Sequence, residues 1–264
     1  RPQVEEIINI IRGVTREFDR IQLPSLGRFY DGTDGPKDGV LHIRPMTGEE
    51  EAILATPRWA KKGSVAIDMI FNRCLKEKYK SESFLSVDRT FLLIWLRAIS
   101  YSHEYEVEIT CPFTDRKFQE IIDLNLEVDL CPDDFGPDQL VGTLPATGLS
   151  FRYHLAKGSD DQRIIDYREQ KSKFDPNPNK ADDTLLYKTA LMIDELQGLT
   201  DKFEIQQVLT QLPVGDINHL RNLTNEPPFG VRTKVEVYSP YGLQNFEIEL
   251  PLETNFFFPK RRKI

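Results

Sequence analysis

The stretch SESFLSVDRTFLLIWLRAISYSHEYEVEITCPFTDRKF, residues 81 to 118, decides the fold of this chain. From Ser86 onward, apolar residues fall on almost every side of a predicted helix, and a helix of that kind has to be covered all round. The run is shorter than the about 20 apolar residues that span a bilayer, and charges bracket it. We therefore expect a buried central helix, with Ser86 or Asp88 as its N-cap and with Leu92 and Trp95 in the core.

Directly after this helix the apolar pattern changes to the period of a strand. Residues 105 to 109 alternate between apolar and charged side chains, and residues 111 to 118 are typical of a turn that enters a return strand. The sequence thus predicts a buried helix followed by a β-hairpin.

The hairpin pattern occurs twice. Val107-Glu108-Ile109-Thr110-Cys111-Pro112-Phe113 is followed, after four residues, by Phe118, and Val235-Glu236-Val237-Tyr238-Ser239-Pro240-Tyr241 is followed, after four residues, by Phe246. We interpret the two stretches as copies of one strand-turn-strand knuckle that arose by internal duplication. The alternative is that both simply follow the common sequence rules of hairpins.

A Cys-Pro turn between two strands has the shape of a zinc knuckle, which needs paired thiolates on each of two turns. Here Cys111 is followed by Thr114 where a second cysteine would stand, and the other copy has Ser239 and Gly242. Four ligands cannot be assembled from these residues. We expect two related metal-free knuckles, held together by apolar and aromatic side chains, and no cofactor.

The remaining patterns complete an α+β fold. Residues 3 to 19 predict an amphipathic helix, and residues 157 to 225 predict a helical insertion between the two knuckles. A turn-rich break at residues 131 to 138 favours two interlocked lobes, residues 1–130 and 131–264. Small antiparallel β-hairpins should therefore pack against the helices around the central one.

Composition limits the classes of partner. The net charge of −8 and a pI near 5.2 argue against nucleic-acid binding, which needs clustered Lys and Arg. The one basic cluster, residues 260 to 263, is interpreted as a solvated tail or as an arm that docks on an acidic partner. Three irregularly spaced cysteines and the absence of a signal-peptide pattern predict synthesis in a reducing cytoplasm, with no membrane association.

The sequence contains no residue pattern that is typical of an active site. The four histidines have no carboxylate or cysteine at ligand or triad spacing, so we interpret them as structural or surface residues. No phosphate-binding loop, nucleophile elbow or His-Glu-x-x-His motif occurs. The acidic pairs at 133–134, 160–161 and 182–183 stand at helix starts or turns, where Asp caps backbone N–H groups. We expect no catalytic, cofactor or metal site and no enzyme activity.

Several motifs, in their order along the chain, resemble the baseplate hub proteins of T-even-type contractile-tailed bacteriophages. They are Leu23-Pro24-Ser25-Leu26-Gly27 followed by a Tyr, residues 40 to 50 (VLHIRPMTGEE), Asp88-Arg89 through Tyr101, Cys111-Pro112, residues 246 to 252, and Phe256-Phe257-Phe258-Pro259. The chain departs from that family at Ser102, where Gly is usual, and at the unpaired knuckle cysteine. The resemblance implies a virion protein that is made in the host cytoplasm and functions in the tail baseplate.

The resemblance also implies other phage baseplate or hub proteins as partners in a hetero-oligomeric assembly, and a role as a docking scaffold during viral tail assembly. The alternative is an assembly factor or chaperone of the hub that is not retained in the virion. Residues expected to contact partners are Ile7, Ile11, Arg97, Phe256, Phe257 and Phe258. For Arg97 a structural ion pair with an acidic residue of the first helices is the competing interpretation. For the phenylalanines it is packing on their own domain.

Overall fold

The structure, a computed structural model, describes residues 2–15, 17–56, 63–174, 183–252 and 254–257. It confirms the α+β class: the described residues form eight α-helices and five small antiparallel sheets. The helices are α1 (Pro2–Thr15), α2 (Gly48–Leu54), α3 (Gly63–Cys74), α4 (Ser86–Ser100), α5 (Gly158–Phe174), α6 (Thr184–Met192), α7 (Lys202–Leu209) and α8 (Val214–Asn225).

Each sheet has only two or three strands. The strands are β1 (Asp19–Gln22), β2 (Val40–Ile43), β3 (Glu104–Thr110), β4 (Lys117–Asp123), β5 (Val128–Asp129), β6 (Val141–Thr143), β7 (Ser150–Tyr153), β8 (Ile193–Leu196), β9 (Gly230–Val231), β10 (Lys234–Ser239) and β11 (Gln244–Glu249). They pair as β1–β2, β3–β4, β5–β9, β10–β11 and β6–β7–β8. Because no sheet is wide enough to form a core alone, the helices supply most of the packing surface.

The predicted central helix is α4, and it is covered on most sides. Leu92 is fully buried, and Phe91, Ile94 and Leu96 are buried beside it. The expectation that Trp95 is a core residue is wrong, because its side chain is 37% exposed. The indole packs on the ring of Phe91 with centroids 5.8 Å apart and stays partly exposed, as the large Trp side chain commonly does.

The start of α4 is held by a loop rather than by its own cap. Its N-cap residue, Leu85, makes no side-chain cap, so the expectation that Ser86 or Asp88 caps the helix is wrong. The Asp88 carboxylate is fully buried and accepts hydrogen bonds from the Ser25 backbone N–H (3.1 Å) and the Tyr30 hydroxyl (2.7 Å). The Tyr30 hydroxyl in turn accepts from the Leu85 N–H at 2.9 Å. The loop that carries the Leu-Pro-Ser-Leu-Gly motif is thereby fixed to the central helix.

The sequence Thr47-Gly48-Glu49-Glu50 predicts a capping box at the start of α2, and the structure confirms it. Thr47 accepts from the helix backbone, and the Glu50 side chain accepts from the Thr47 N–H at 2.8 Å. The Glu50 carboxylate is fully buried and pairs with Arg44 and Arg73, both at 3.1 Å. Burial opposes its ionisation, but the hydrogen bonds from Arg44 and Thr47 lower its pKa to about 2. The buried carboxylate thus joins the end of β2 to α2 and α3.

The two predicted knuckles are β3–β4 and β10–β11, and they share one geometry. Ile109 pairs with Phe118 in the first, and Val237 pairs with Phe246 in the second. In both turns the residue three places before that phenylalanine, Asp115 or Leu243, has a positive φ, at 56° and 51°. The N–H of this residue donates to the carbonyl of residue 111 or 239, at 2.9 Å in both cases. The spacing in the sequence therefore corresponds to the same register and the same turn.

The knuckles pack on each other around a local two-fold relation. The Cys111 Sγ and the Ser239 Oγ, which are equivalent atoms, lie 2.9 Å apart and are fully buried. Four rings surround this pair in reciprocal contacts: Phe113 on Phe246 at 5.8 Å, Tyr241 on Phe118 at 6.4 Å, and Phe118 on Phe246 at 6.4 Å. A Cβ at Gly242 would lie 2.4 Å from the Phe113 ring. The Phe113 ring thus occupies the space that a side chain at position 242, the fourth ligand position of a zinc knuckle, would need.

The helical section differs from the prediction in one respect. The sequence predicts a helix from 184 to 196 that is ended by Gly198, but α6 ends at Met192 and residues 193 to 196 form β8. Strand β8 pairs with β7, and the His154 N–H donates to the Met192 carbonyl at 3.0 Å. The edge of a distant hairpin therefore overrides local helix propensity.

The structure also changes the bounds of one predicted strand and one predicted helix. Residues 124 to 130 are predicted as one strand, but only Val128–Asp129 pair, and they pair with β9 a hundred residues later. The predicted helix from 3 to 19 ends at Thr15, and Asp19 already belongs to β1. The division into lobes at residue 131 stays a prediction. One buried apolar cluster runs from Ile21 to Phe257 across that point.

Candidate interaction surfaces

Helix α1 carries the largest run of exposed apolar side chains. Val4, Ile7, Ile8, Ile10 and Ile11 are between 39% and 64% exposed. The helix also carries Glu5 in its first turn, and every α1 side chain that the structure describes is exposed. Exposed apolar surface of this kind makes α1 a candidate interaction surface.

Arg97 lies inside the chain and not on its surface. Its side chain is only 2% exposed, its Nε donates to the Phe256 carbonyl at 2.7 Å, and an Nη donates to the Ser102 carbonyl at 3.0 Å. The guanidinium carbon lies 4.9 Å from the Tyr101 ring centroid and 5.8 Å from that of Tyr105. Among the described residues no carboxylate is within ion-pair distance, so the expected pair with an acidic residue of the first helices is wrong there. Burial lowers the pKa of Arg97.

The C-terminal aromatics are also part of the chain's own packing. Phe256 and Phe257 are 1% and 3% exposed. The Phe256 ring packs edge-on against Tyr105 at 4.9 Å and against Phe257 at 5.4 Å. Phe258 and the basic cluster at 260 to 263 lie outside the described residues. Of the residues expected to contact partners, only Ile7 and Ile11 are exposed in the described part of this chain.

A partly buried charge cluster around His154 could not be predicted from the sequence. The His154 Nδ1 lies 2.8 Å from the Asp194 carboxylate, and its Nε2 lies 3.5 Å from that of Asp160. Lys202 extends from α7 to the Ile193 carbonyl and to Asp194. Burial alone would lower the pKa of His154, but the two carboxylates raise it to about 9. The imidazolium therefore acts as a cation that ties β7 to β8 and to the start of α5.

An acidic cleft of about 870 Å³ lies between α4 and the second knuckle. Val87 and Thr90 of α4 line it, and the lining residue Arg232 is paired with Glu127 (2.6 Å) and Asp129 (2.8 Å). The cleft is lined by five glutamates: Glu127, Glu226, Glu236, Glu247 and Glu249. Only two cationic side chains, those of Arg232 and Lys234, face these carboxylates, and such a balance disfavours phosphate groups.

The described part of the chain offers neither a metal centre nor a membrane span. No group of three or more His, Cys, Asp and Glu side chains within it is placed to hold a metal ion. None of the helices described is long and apolar enough to cross a bilayer.

Comparison with known proteins gives one family. Residues 15–237 match the family model described as T4 bacteriophage base plate protein. No curated protein and no solved structure matches the chain. The matched residues include the loop at Ser25, the central helix, the first knuckle and the first four residues of strand β10, and they begin where α1 ends.

Proposed function

We propose that this chain, which belongs to the T4 bacteriophage base plate protein family, is a non-enzymatic structural subunit of the hub region of the tail baseplate. It acts as a docking scaffold for other baseplate proteins during tail assembly. The observation that supports this proposal most directly is the apolar surface of α1, where five large aliphatic side chains are exposed. A segment of that kind is how partner helices and grooves are commonly recognised.

The position of α1 in the molecule supports the same role. The α1 side chains that the structure describes are all exposed, and a helix of 14 residues with many β-branched side chains is marginal by itself in water. Such a helix becomes stable when its apolar stripe is covered by another surface. Because the C-terminal aromatics are buried, we place the docking surface on α1, at Ile7 and Ile11, and not on Phe256 or Phe257.

The docking role is tested with matched variants of a tagged chain in phage-infected cells. Ile7→Glu introduces a charge in the centre of the apolar stripe, and Asn9→Glu introduces the same charge on the opposite face of α1. We expect co-purification of other baseplate proteins to be lost with Ile7→Glu and retained with Asn9→Glu. Equal co-purification by the two variants would contradict a docking role of α1.

The distinction between a subunit and an assembly factor is made on purified particles. Quantitative mass spectrometry should find the chain in constant proportion to the other tail proteins if it is a structural subunit. Its absence from finished particles, together with its presence in assembly intermediates, would identify it instead as an assembly factor or chaperone that leaves the virion.

A further inference from the structure

The outer edge of β10, the side that faces away from β11, has no strand paired to it among the described residues. The Leu250 N–H donates to the Thr233 carbonyl at 2.8 Å. In the register of this hairpin, the hydrogen-bonded pairs therefore involve Thr233, Val235 and every second residue after them. The backbone N–H and C=O groups of Lys234 and Glu236 point the other way. An edge of this kind is a template for one more strand.

The same edge is already used for pairing just before β10 begins. β9 pairs with β5, and the Arg232 N–H donates to the Glu127 carbonyl at 2.9 Å. Because backbone groups alternate in direction along an extended chain, Lys234 and Glu236 face the side that Arg232 faces. The pairing with β5 stops at Glu127. A strand added at Lys234 and Glu236 would therefore extend a row of pairing that the fold has already begun.

The acidic cleft lies along this unpaired edge. Val235 and Glu236 are neighbours in a strand and point to opposite faces of it, yet both line the cleft. That is the arrangement of a groove that runs along a strand edge and reaches both faces. The hairpin contributes the acidic residues Glu236, Glu247 and Glu249 to the lining, and the apolar lining residues are Val87, Leu126, Phe229, Val231 and Val235.

The charge on the acidic face of the hairpin is only partly balanced. Glu236 and Glu247 stand directly opposite each other in β10 and β11, and like charges at such positions are destabilising. Glu236 accepts a hydrogen bond from the Asn245 side-chain amide at 3.0 Å, but that group is uncharged. In the described part of the chain, no Lys or Arg side chain lies within ion-pair distance of Glu236 or Glu247. A cation beside the two carboxylates would relieve their repulsion.

We propose that an extended segment of another protein, in which Lys or Arg alternates with apolar residues, adds to the outer edge of β10 as a further strand. Its backbone pairs with that of Lys234 and Glu236. In strand addition, main-chain hydrogen bonds give affinity and alternate side chains give specificity. The cationic side chains then lie beside Glu236 and Glu247, and the apolar ones beside Val235. This surface is separate from α1, so the proposal does not depend on docking through that helix.

The first test uses a labelled synthetic peptide in which lysine alternates with valine, and measures its binding to the full chain by fluorescence anisotropy. We expect saturable binding that weakens as the salt concentration rises. A peptide of the same composition with all its lysines at one end should bind more weakly, because only an added strand requires alternation. No binding of the alternating peptide overturns the proposal, and so does equal binding of the two peptides.

The second test compares two double variants that remove the same charge. Glu236→Gln with Glu247→Gln acts inside the cleft, whereas Glu106→Gln with Glu204→Gln acts at exposed positions outside it. We expect the first to weaken binding of the alternating peptide by roughly 3- to 10-fold and the second to leave it unchanged. Equal effects would mean that the peptide responds only to net charge, and would overturn the site.

The third test separates backbone pairing from electrostatics at Lys234. Lys234→Ala and Lys234→Pro remove the same cation, but Pro also removes the outward N–H. Because that N–H takes no part in the pairing with β11, the fold should accept Pro at this edge. We expect Lys234→Pro to bind the peptide about 2- to 10-fold more weakly than Lys234→Ala. Equal affinities overturn strand addition, and so does a Lys234→Pro chain that no longer folds, since its N–H is then needed inside the hairpin.

The chain's own basic cluster at residues 260 to 263 is a competing occupant. Equal binding of the peptide by the full chain and by a chain without residues 258 to 264 supports a segment from a partner. Binding that appears only after this removal identifies the chain's own cluster as the occupant and overturns the proposal. Neither result bears on α1, which the Ile7→Glu experiment tests separately.

Discussion

Leu92 and Trp95 stand three residues apart on α4, yet their environments differ. Leu92 is fully buried, whereas Trp95 is 37% exposed and rests on Phe91. Leu92→Ala should lower the free energy of unfolding by about 2 to 5 kcal/mol, because it leaves a cavity in a packed core. Trp95→Ala should cost less than half of that. Urea unfolding of both variants checks the order, and a larger loss for Trp95→Ala would mean that the open side of α4 is covered.

His154 gives the protein a defined dependence on pH. Its folded pKa of about 9 lies above the ordinary value of 6.5, because Asp160 and Asp194 outweigh the effect of burial. A raised pKa contributes stability that is fully present below pH 6.5 and is lost as the pH rises through 9. We therefore expect the wild type to lose more stability between pH 6.5 and 9.5 than His154→Gln does. Urea midpoints measured across that range test this, and parallel curves for the two proteins would contradict it.

At the scale of elements, the contact between the knuckles can be tested with one substitution. The Cys111 Sγ and the Ser239 Oγ are 2.9 Å apart and both are buried. We expect Ser239→Cys to form a disulfide with Cys111 under mild oxidation. The bridge would close a loop of 128 residues and, in the chain-entropy account, stabilise the fold by about 4 to 5 kcal/mol.

Thiol titration in denaturant measures that bridge. The wild type has three free cysteines, so the oxidised variant should show two of its four. Ser239→Ala serves as the matched control, since it removes the same hydroxyl and cannot crosslink. Four titratable thiols after oxidation would show that the two turns do not face each other as described.

The elements that sequence patterns predict well are those fixed by local spacing. The knuckles were predictable because one local pattern, a seven-residue stretch followed after four residues by a phenylalanine, sets both the strand register and the turn. The capping box of α2 was predictable because its two partners lie three residues apart. β8 and β9 were not predictable, because their pairing partners lie about 40 and 100 residues away. The hydrogen-bond acceptors of Arg97 are backbone carbonyls, so a pattern of side chains in the sequence could not predict them. The apolar stripe of α1 was visible in the sequence, but its exposure was not.

At the scale of the whole molecule, the first described helix and the last described residues differ in burial. Phe256 is buried against Tyr105 and Phe257, so Phe256→Ala should cost about 3 to 5 kcal/mol. Removal of residues 1 to 16 should leave the melting temperature of the body nearly unchanged, because the side chains of α1 that the structure describes are exposed. Differential scanning calorimetry compares the two. A large loss on removing α1, or none with Phe256→Ala, would reverse these assignments.

The hydrogen bond from Arg97 to the Phe256 carbonyl has a consequence for synthesis, because it joins residues 159 apart in the sequence. Translation proceeds at about 5 to 20 residues per second, so the arginine waits on the order of ten seconds for this acceptor to leave the ribosome. A nascent chain that stops early keeps a guanidinium whose burial site is incomplete. We therefore expect a chain that stops before Phe256 to be less stable than one that includes it.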